Sequence, residues 1–277
     1  MNVTVAPCAG FCFGVRRALK LAFDAAHEGD GPMVTLGPII HNPQVVAKLS
    51  DEGLRVVDDL SDIESGTLVV RSHGLPRSVL NAARERGFEI VDATCPFVKM
   101  AQDRAAQLEK EGYAVVVVGE QDHPEVLSIT GSLASGATVV TEPDDLGDQP
   151  RTDRVGIVCQ TTQPIARLKA VVARLLETAQ EVKVFNTICN ATSERQVNAL
   201  DLADAVDVML IVGGRNSANT RRLWELCREA GSDAYHIETA DELESGWFEG
   251  KQEVGVTGGA STPQWIIDEV IRAVGAM

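Results

Sequence analysis

The sequence predicts an α/β protein built from three repeated small units with parallel sheets, arranged as a pseudo-threefold trefoil. Three observations carry this expectation. A block opening at a cysteine recurs at Cys12, Cys95 and Cys189. Inside each block helical stretches alternate with short apolar runs, the pattern of parallel βα units. The polar residues of each block fall in equivalent strand-to-helix turns, where open α/β sheets place their ligands.

The elements follow in order. The run NVTV at residues 2–5 reads as a strand leading towards Cys12. After the three cysteines come helical stretches FGVRRALKLAFDAAHEG, PFVKMAQDRAAQLEKEG and NATSERQVNALDLADA. Each feeds an apolar strand, PMVTLG, YAVVVVG or DVMLIVG, which ends at Gly37, Gly119 or Gly213 at a nearly constant distance from its cysteine. Four residues further on stand His41, His123 and Ser217, and then a second helix: NPQVVAKLSDEG, PEVLSITGSLASG or NTRRLWELCREAG. Short strands LRVV, ATVV and AYHI lead to acidic turns DDLSD, DDLGD and DELES. A third strand, TLVV, RVGIV or EVGVT, runs into a polar turn, SHGLP, QTTQP or GASTP. Pro76, Pro164 and Pro263 suit the first turn of another helix, where a missing N–H costs little. The runs FEIVDATC and VKVFNTIC then deliver the next cysteine from a fourth strand. The third block has no such strand, so NVTV is expected to complete it. The units are therefore placed at 13–95, 96–189 and 190–277, the last completed by 1–12.

Composition narrows the function. Of 277 residues, 44% are hydrophobic and 23% charged, which fits a globular protein and not a disordered one. No run approaches the ~20 apolar residues that span a bilayer, so no membrane role is expected. The net charge of −15, from 25 basic and 40 acidic residues, argues against nucleic acid as a partner. The N-terminal run MNVTVAPCAGFC has neither a signal-peptide nor a transit-peptide pattern, so the expected location is cytoplasmic, or the form a mature one.

Three cysteines in equivalent strand-end positions would meet at the axis. They either pack there as small buried residues or bind a metal. An all-thiolate set suits an iron–sulfur cluster better than a hydrolytic zinc, and three thiolates would leave one iron of a cubane open. Cys8, Cys159 and Cys227 lack counterparts in the other blocks; the last two read as core residues, and Cys8, four residues before Cys12, offers a fourth ligand only by breaking the symmetry. His41, His73 and His123, with Ser217, Asn219 and Ser261, stand at helix starts and read as an anion pocket made of local donors. Arg71 and Arg215 are the few basic residues in these turns. There is no GxxxxGK[ST] loop, and GGRNSAN is too loose for a dinucleotide site. Glu125 is either a carboxylate complementing a helix dipole or a proton donor assisted by Thr161.

Together FCFGV, GPIIHN, SHG, DATCP, DHPEV, QTTQP and GASTP closely resemble the 4-hydroxy-3-methylbut-2-enyl diphosphate reductases, the last enzymes of the non-mevalonate (methylerythritol phosphate) isoprenoid pathway. The resemblance covers the chain from first strand to final helix. It implies a trefoil around one oxygen-sensitive 4Fe–4S cluster per chain, with three cysteine ligands, Cys12, Cys95 and Cys189, and an open fourth iron for the substrate hydroxyl. It implies a diphosphate held by His41, His73, His123, Ser217, Asn219 and Ser261, with Thr161 and Glu125 serving the hydroxyl and its protonation. Products would be isopentenyl and dimethylallyl diphosphates, and the electron donor ferredoxin or flavodoxin. One departure stands out: the family's Ser-Ser-Asn turn is here Ser217-Ala218-Asn219, so Ala218 keeps its N–H but brings no hydroxyl. The rival readings are a noncatalytic iron–sulfur or redox-sensing protein and a structural zinc protein.

Overall fold

A computed structural model of the chain describes residues 1–28, 31–61, 63–147 and 152–277. Gly29, which ends the first helical stretch, and Asp62 and Asp148, which end two acidic turns, lie outside the described residues.

The strands are β1 (Asn2–Val5), β2 (Met33–Leu36), β3 (Leu54–Val57), β4 (Thr67–Val70), β5 (Glu89–Asp92) and β6 (Ala114–Val118), then β7 (Thr138–Val140), β8 (Thr152–Cys159), β9 (Ala179–Val184), β10 (Val208–Val212), β11 (Ala234–Ile237) and β12 (Glu253–Gly258). They form three four-stranded sheets, ordered β3-β2-β4-β5, β7-β6-β8-β9 and β11-β10-β12-β1. Every neighbouring pair is parallel. The three orders are one permutation, with β1 in the place of a fourth strand, Asn2 opposite Glu253 and Val5 opposite Val256. The predicted α/β class of three repeated parallel-sheet units holds.

Helices α1 (Phe13–Glu28), α4 (Pro96–Lys110) and α7 (Asn190–Ala203) follow the three cysteines. Helices α2 (Pro43–Asp51), α5 (Pro124–Thr130) and α8 (Ala218–Glu229) follow β2, β6 and β10, and α3 (Arg77–Glu85), α6 (Ile165–Leu175) and α9 (Gln264–Gly275) follow β4, β8 and β12. Pro76, Pro164 and Pro263 sit one place earlier than expected, at the N-cap, with ψ of 144°, 143° and 151°. That backbone N–H takes no part in the helix ladder, so proline is equally harmless there.

The sheets are held by apolar side chains on both faces, as buried parallel sheets require. In β6, Val116 and Val118 pack with Leu168, Val171 and Leu175 of α6. Val115 and Val117, pointing the other way by the strand's period of two, pack with Ala101, Ala105 and Leu108 of α4 and with Val126 and Ile129 of α5. The chain forms two compact units. Arg17–Ile39 and Leu49–Cys189 carry the first two sheets; Met1–Arg16, Ile40–Lys48 and Asn190–Met277 carry the third. Among the described residues no helix is long and apolar enough to cross a membrane.

Candidate functional site

The sheet order separates two kinds of turn. Cysteines follow the edge strands β1, β5 and β9, whereas the polar candidates follow the central strands. The two kinds are stitched together by backbone. The N–H of Cys12 donates to the Ala260 carbonyl at 3.1 Å, that of Cys95 to Ser72 at 2.9 Å and that of Cys189 to Thr161 at 3.0 Å. Each acceptor lies in the polar turn beyond the adjacent central strand. All three cysteines are half-buried, and Cys12 Sγ accepts the Val15 N–H at 3.4 Å. Cys159 and Cys227 are fully buried in the packed cores. Burial pushes the Cys227 thiol up to about 11 and that of Cys159 higher still, so both stay protonated and serve poorly as thiolate ligands. Half-buried thiols at helix starts, one receiving an N–H···S bond, fit an iron–sulfur cluster. Cys8 Sγ instead accepts from Asn198 Nδ2 at 3.1 Å.

In the unit holding the first two sheets, the structure brings Glu125 and Thr161 together. Glu125 is 2% exposed and Thr161 6%. The Thr161 N–H donates to Glu125 Oε1 at 2.6 Å and its hydroxyl to Oε2 at 2.9 Å. Both bonds favour the carboxylate, but burial opposes them more strongly and pushes the carboxyl up to about 7. His123 caps α5, its Nδ1 accepting the Glu125 N–H at 3.1 Å. With Nδ1 as acceptor, a neutral ring carries its proton on Nε2, a donor for an anion. The His73 and His123 rings meet edge to face, centroids 5.5 Å apart. Ser128 Oγ lies between the His73 turn and α5, 2.7 Å from the His73 carbonyl and 2.8 Å from that of Glu125, with its one proton to share between them.

In the unit holding the third sheet, Ser217 caps α8 by accepting the Thr220 N–H at 3.3 Å. Ala218 and Asn219 begin that helix and are buried. Both amide atoms of Asn219 are buried without a hydrogen-bond partner among the described residues, a costly arrangement that an anion or its water shell would relieve. Ser261 Oγ donates to the His41 carbonyl at 3.2 Å, and that carbonyl fills the space a side chain on Gly214 would need. Close packing also dictates Gly259, where a Cβ would overlap Thr220 Oγ1. Arg215 is exposed, engaged by Glu238 and Glu242, and stands apart from the buried part of this turn. Arg71 is half-buried, its guanidinium against Gly37.

Sequence reasoning missed two side chains. Gln160 is fully buried; its Oε1 accepts from the Glu120 N–H at 3.0 Å and from Gln163 Nε2 at 3.1 Å, bracing the turn that carries Thr161. Asn42 caps α2 through Oδ1, which accepts the Val45 N–H at 3.0 Å. Its position immediately before Pro43 is the N-cap signal that could have found it.

A curated relative from Trichlorobacter lovleyi is 51% identical over 272 residues, covering 98% of this chain and 97% of the relative. One from Geobacter sulfurreducens is 51% identical over 274 residues, covering 99% and 97%. Both are named 4-hydroxy-3-methylbut-2-enyl diphosphate reductase. A solved structure of (E)-4-hydroxy-3-methyl-but-2-enyl diphosphate reductase, described as the terminal enzyme of the non-mevalonate pathway, is 47% identical with a TM-score of 0.74, and all of each chain is covered. The corresponding Plasmodium falciparum structure, 24% identical with a TM-score of 0.91 over 99% of this chain and 87% of that one, bears on the fold alone. The family model described as LytB protein matches residues 3–275, and this chain belongs to that family.

Proposed function

We propose that the chain reduces (E)-4-hydroxy-3-methylbut-2-enyl diphosphate to isopentenyl and dimethylallyl diphosphates, the last step of the non-mevalonate pathway. The observation that carries this reading is Thr161. Its N–H and hydroxyl hold the buried Glu125 carboxyl, and its carbonyl holds the N–H of Cys189. A proton donor poised near neutrality and a thiolate turn thus share one residue. Membership of the LytB family supports an iron–sulfur cofactor, and the donor set supports one 4Fe–4S cluster on Cys12, Cys95 and Cys189. When bound, the cluster supplies electrons and an iron with an open coordination position.

The chain's own residues do the rest. Two electrons and two protons replace the allylic hydroxyl by hydrogen and release water. Glu125 supplies a proton as the C–O bond breaks, since water leaves more readily than hydroxide. Thr161 orients that carboxyl. His41, His73, His123, Ser217, Asn219 and Ser261 bind the diphosphate through side chains, and Ala218 through its backbone N–H at the start of α8. The electrons come from an external carrier, which the resemblance gives as ferredoxin or flavodoxin; a cytoplasmic location fits such a carrier. The test is anaerobic turnover with an artificial reductant. The reading predicts both isoprenoid diphosphates as products. A brown, iron-loaded protein that leaves the substrate unchanged would favour the noncatalytic cluster protein, and a colourless, air-stable one the zinc protein.

A further inference from the structure

We propose that Arg195 is a positioning residue for Cys12, acting through the loop that delivers the cysteine; this rests on the cluster reading above. Between the end of β1 and Cys12 the chain has no regular structure, and Gly10 holds φ at +102°, a conformation that favours glycine. Three backbone N–H groups of this segment are tied, those of Ala6, Ala9 and Cys12 donating to the carbonyls of Val256, Ala6 and Ala260. The carbonyls of Cys8 and Gly10 between them are held by Arg195. Its Nη2 donates to the Gly10 carbonyl at 2.6 Å, and its Nη1 to the carbonyls of Cys8 and, at 3.1 Å, of Gly258 at the end of β12. The side chain is 5% exposed. Burying a guanidinium is costly, and here its planar fork is matched to three carbonyls that no apolar side chain could serve. One turn further along α7, Asn198 grips the same loop at Cys8 Sγ. The helix that carries both is itself anchored, with Ala199 and Ala203 in the core against Met209 and Ile211 of β10. Arg195 therefore ties the Cys12 loop to the third sheet through a rigid helix, and sets where the thiolate stands.

The experiment compares parent, Arg195→Lys, Asn198→Ala and Arg86→Lys, all purified anaerobically. Arg86 is the structural control, because it too donates to two carbonyls, those of Leu60 at 2.8 Å and Ile63 at 2.6 Å, beside the first sheet. Readouts are far-UV circular dichroism, cluster absorption during a chelator challenge, and the electron paramagnetic resonance signal of the reduced cluster. Arg195→Lys keeps the charge and loses the fork. It is expected to fold, to lose its cluster faster, in line with the roughly 10–100-fold affinity cost of outer-shell changes at metal sites, and to give an altered resonance signal. Arg86→Lys is expected to keep the parent signal and lifetime. A folded Arg195→Lys protein with parent lifetime and signal overturns the proposal, as does an equal change in Arg86→Lys. If Arg195→Lys does not fold, Asn198→Ala decides: severalfold faster loss supports the clamp, and an unchanged lifetime overturns it. A parent protein that takes up no iron overturns the cluster reading itself.

Discussion

At the Glu125 carboxyl, burial and hydrogen bonding pull in opposite directions. Two bonds from Thr161 would keep it ionised, yet burial raises it from 4.5 to about 7. An acid so poised can hold a proton at neutral pH and give it up, which neither an exposed carboxylate nor a fully protonated one does. Glu125→Gln keeps the shape but cannot donate. We expect turnover to fall by roughly 10²–10⁴, the usual contribution of a general acid, with cluster absorption and substrate affinity near the parent's; steady-state kinetics beside substrate titration checks this. The pH dependence has a definite sign. Because the folded carboxyl binds its proton more tightly than the unfolded one, its contribution to stability is complete below about 4.5 and is lost as pH rises through about 7. Turnover should fall through the same upper limit. Glu125→Gln should lack the Glu125 component of the stability slope between those values, as denaturant titrations across the range would read.

At the scale of the element, the strand-to-helix turn is the working unit. Asn219 stands in the first turn of α8 with its amide unsatisfied, so Asn219→Ala should weaken diphosphate binding while leaving the cluster spectrum intact. Substrate titration checks it, and unchanged affinity would remove the third sheet's turn from the phosphate site. Ala218→Ser restores a hydroxyl and should be tolerated, tightening binding by about 0.5–1.5 kcal/mol if the new bond forms. Gly259→Ala would drive a methyl into Thr220 Oγ1 and should cost about 1–3 kcal/mol in a denaturant midpoint, the range for overpacking. These turns were legible in the sequence because the repeat sets the glycines and prolines of three blocks in register, with His41, His123 and Ser217 at one shared position. What escaped was contact at long range. Arg195 meets carbonyls more than 180 residues earlier in the chain, and Gln160 meets Glu120 across two strands. Neither follows from a local pattern. Nor did the period of the helix place Pro76, Pro164 and Pro263 at the N-cap, since proline fits both that position and the next.

For the molecule as a whole, the repeat sorts the candidate residues by sheet position, Cys12, Cys95 and Cys189 following edge strands and the polar candidates following central ones. It also reconciles a net charge of −15 with an anionic substrate. In the proposed site the diphosphate would be met by helix N-termini and the Asn219 amide acting over a few ångströms, within which the overall field counts for less. The fourth strand of the third sheet was readable because the last block lacked one and the first residues had the composition to supply it. The burial that separates the proposed cluster ligands from the core cysteines was only partly readable, through symmetry. That separation is the account's central claim, and iron content per chain after anaerobic purification tests it most directly. Serine at Cys12, Cys95 or Cys189 should remove or badly destabilise the cluster, while serine at Cys159 or Cys227 should leave iron near the parent level. Equal iron loss at all five positions, or full iron retention at the first three, would contradict it.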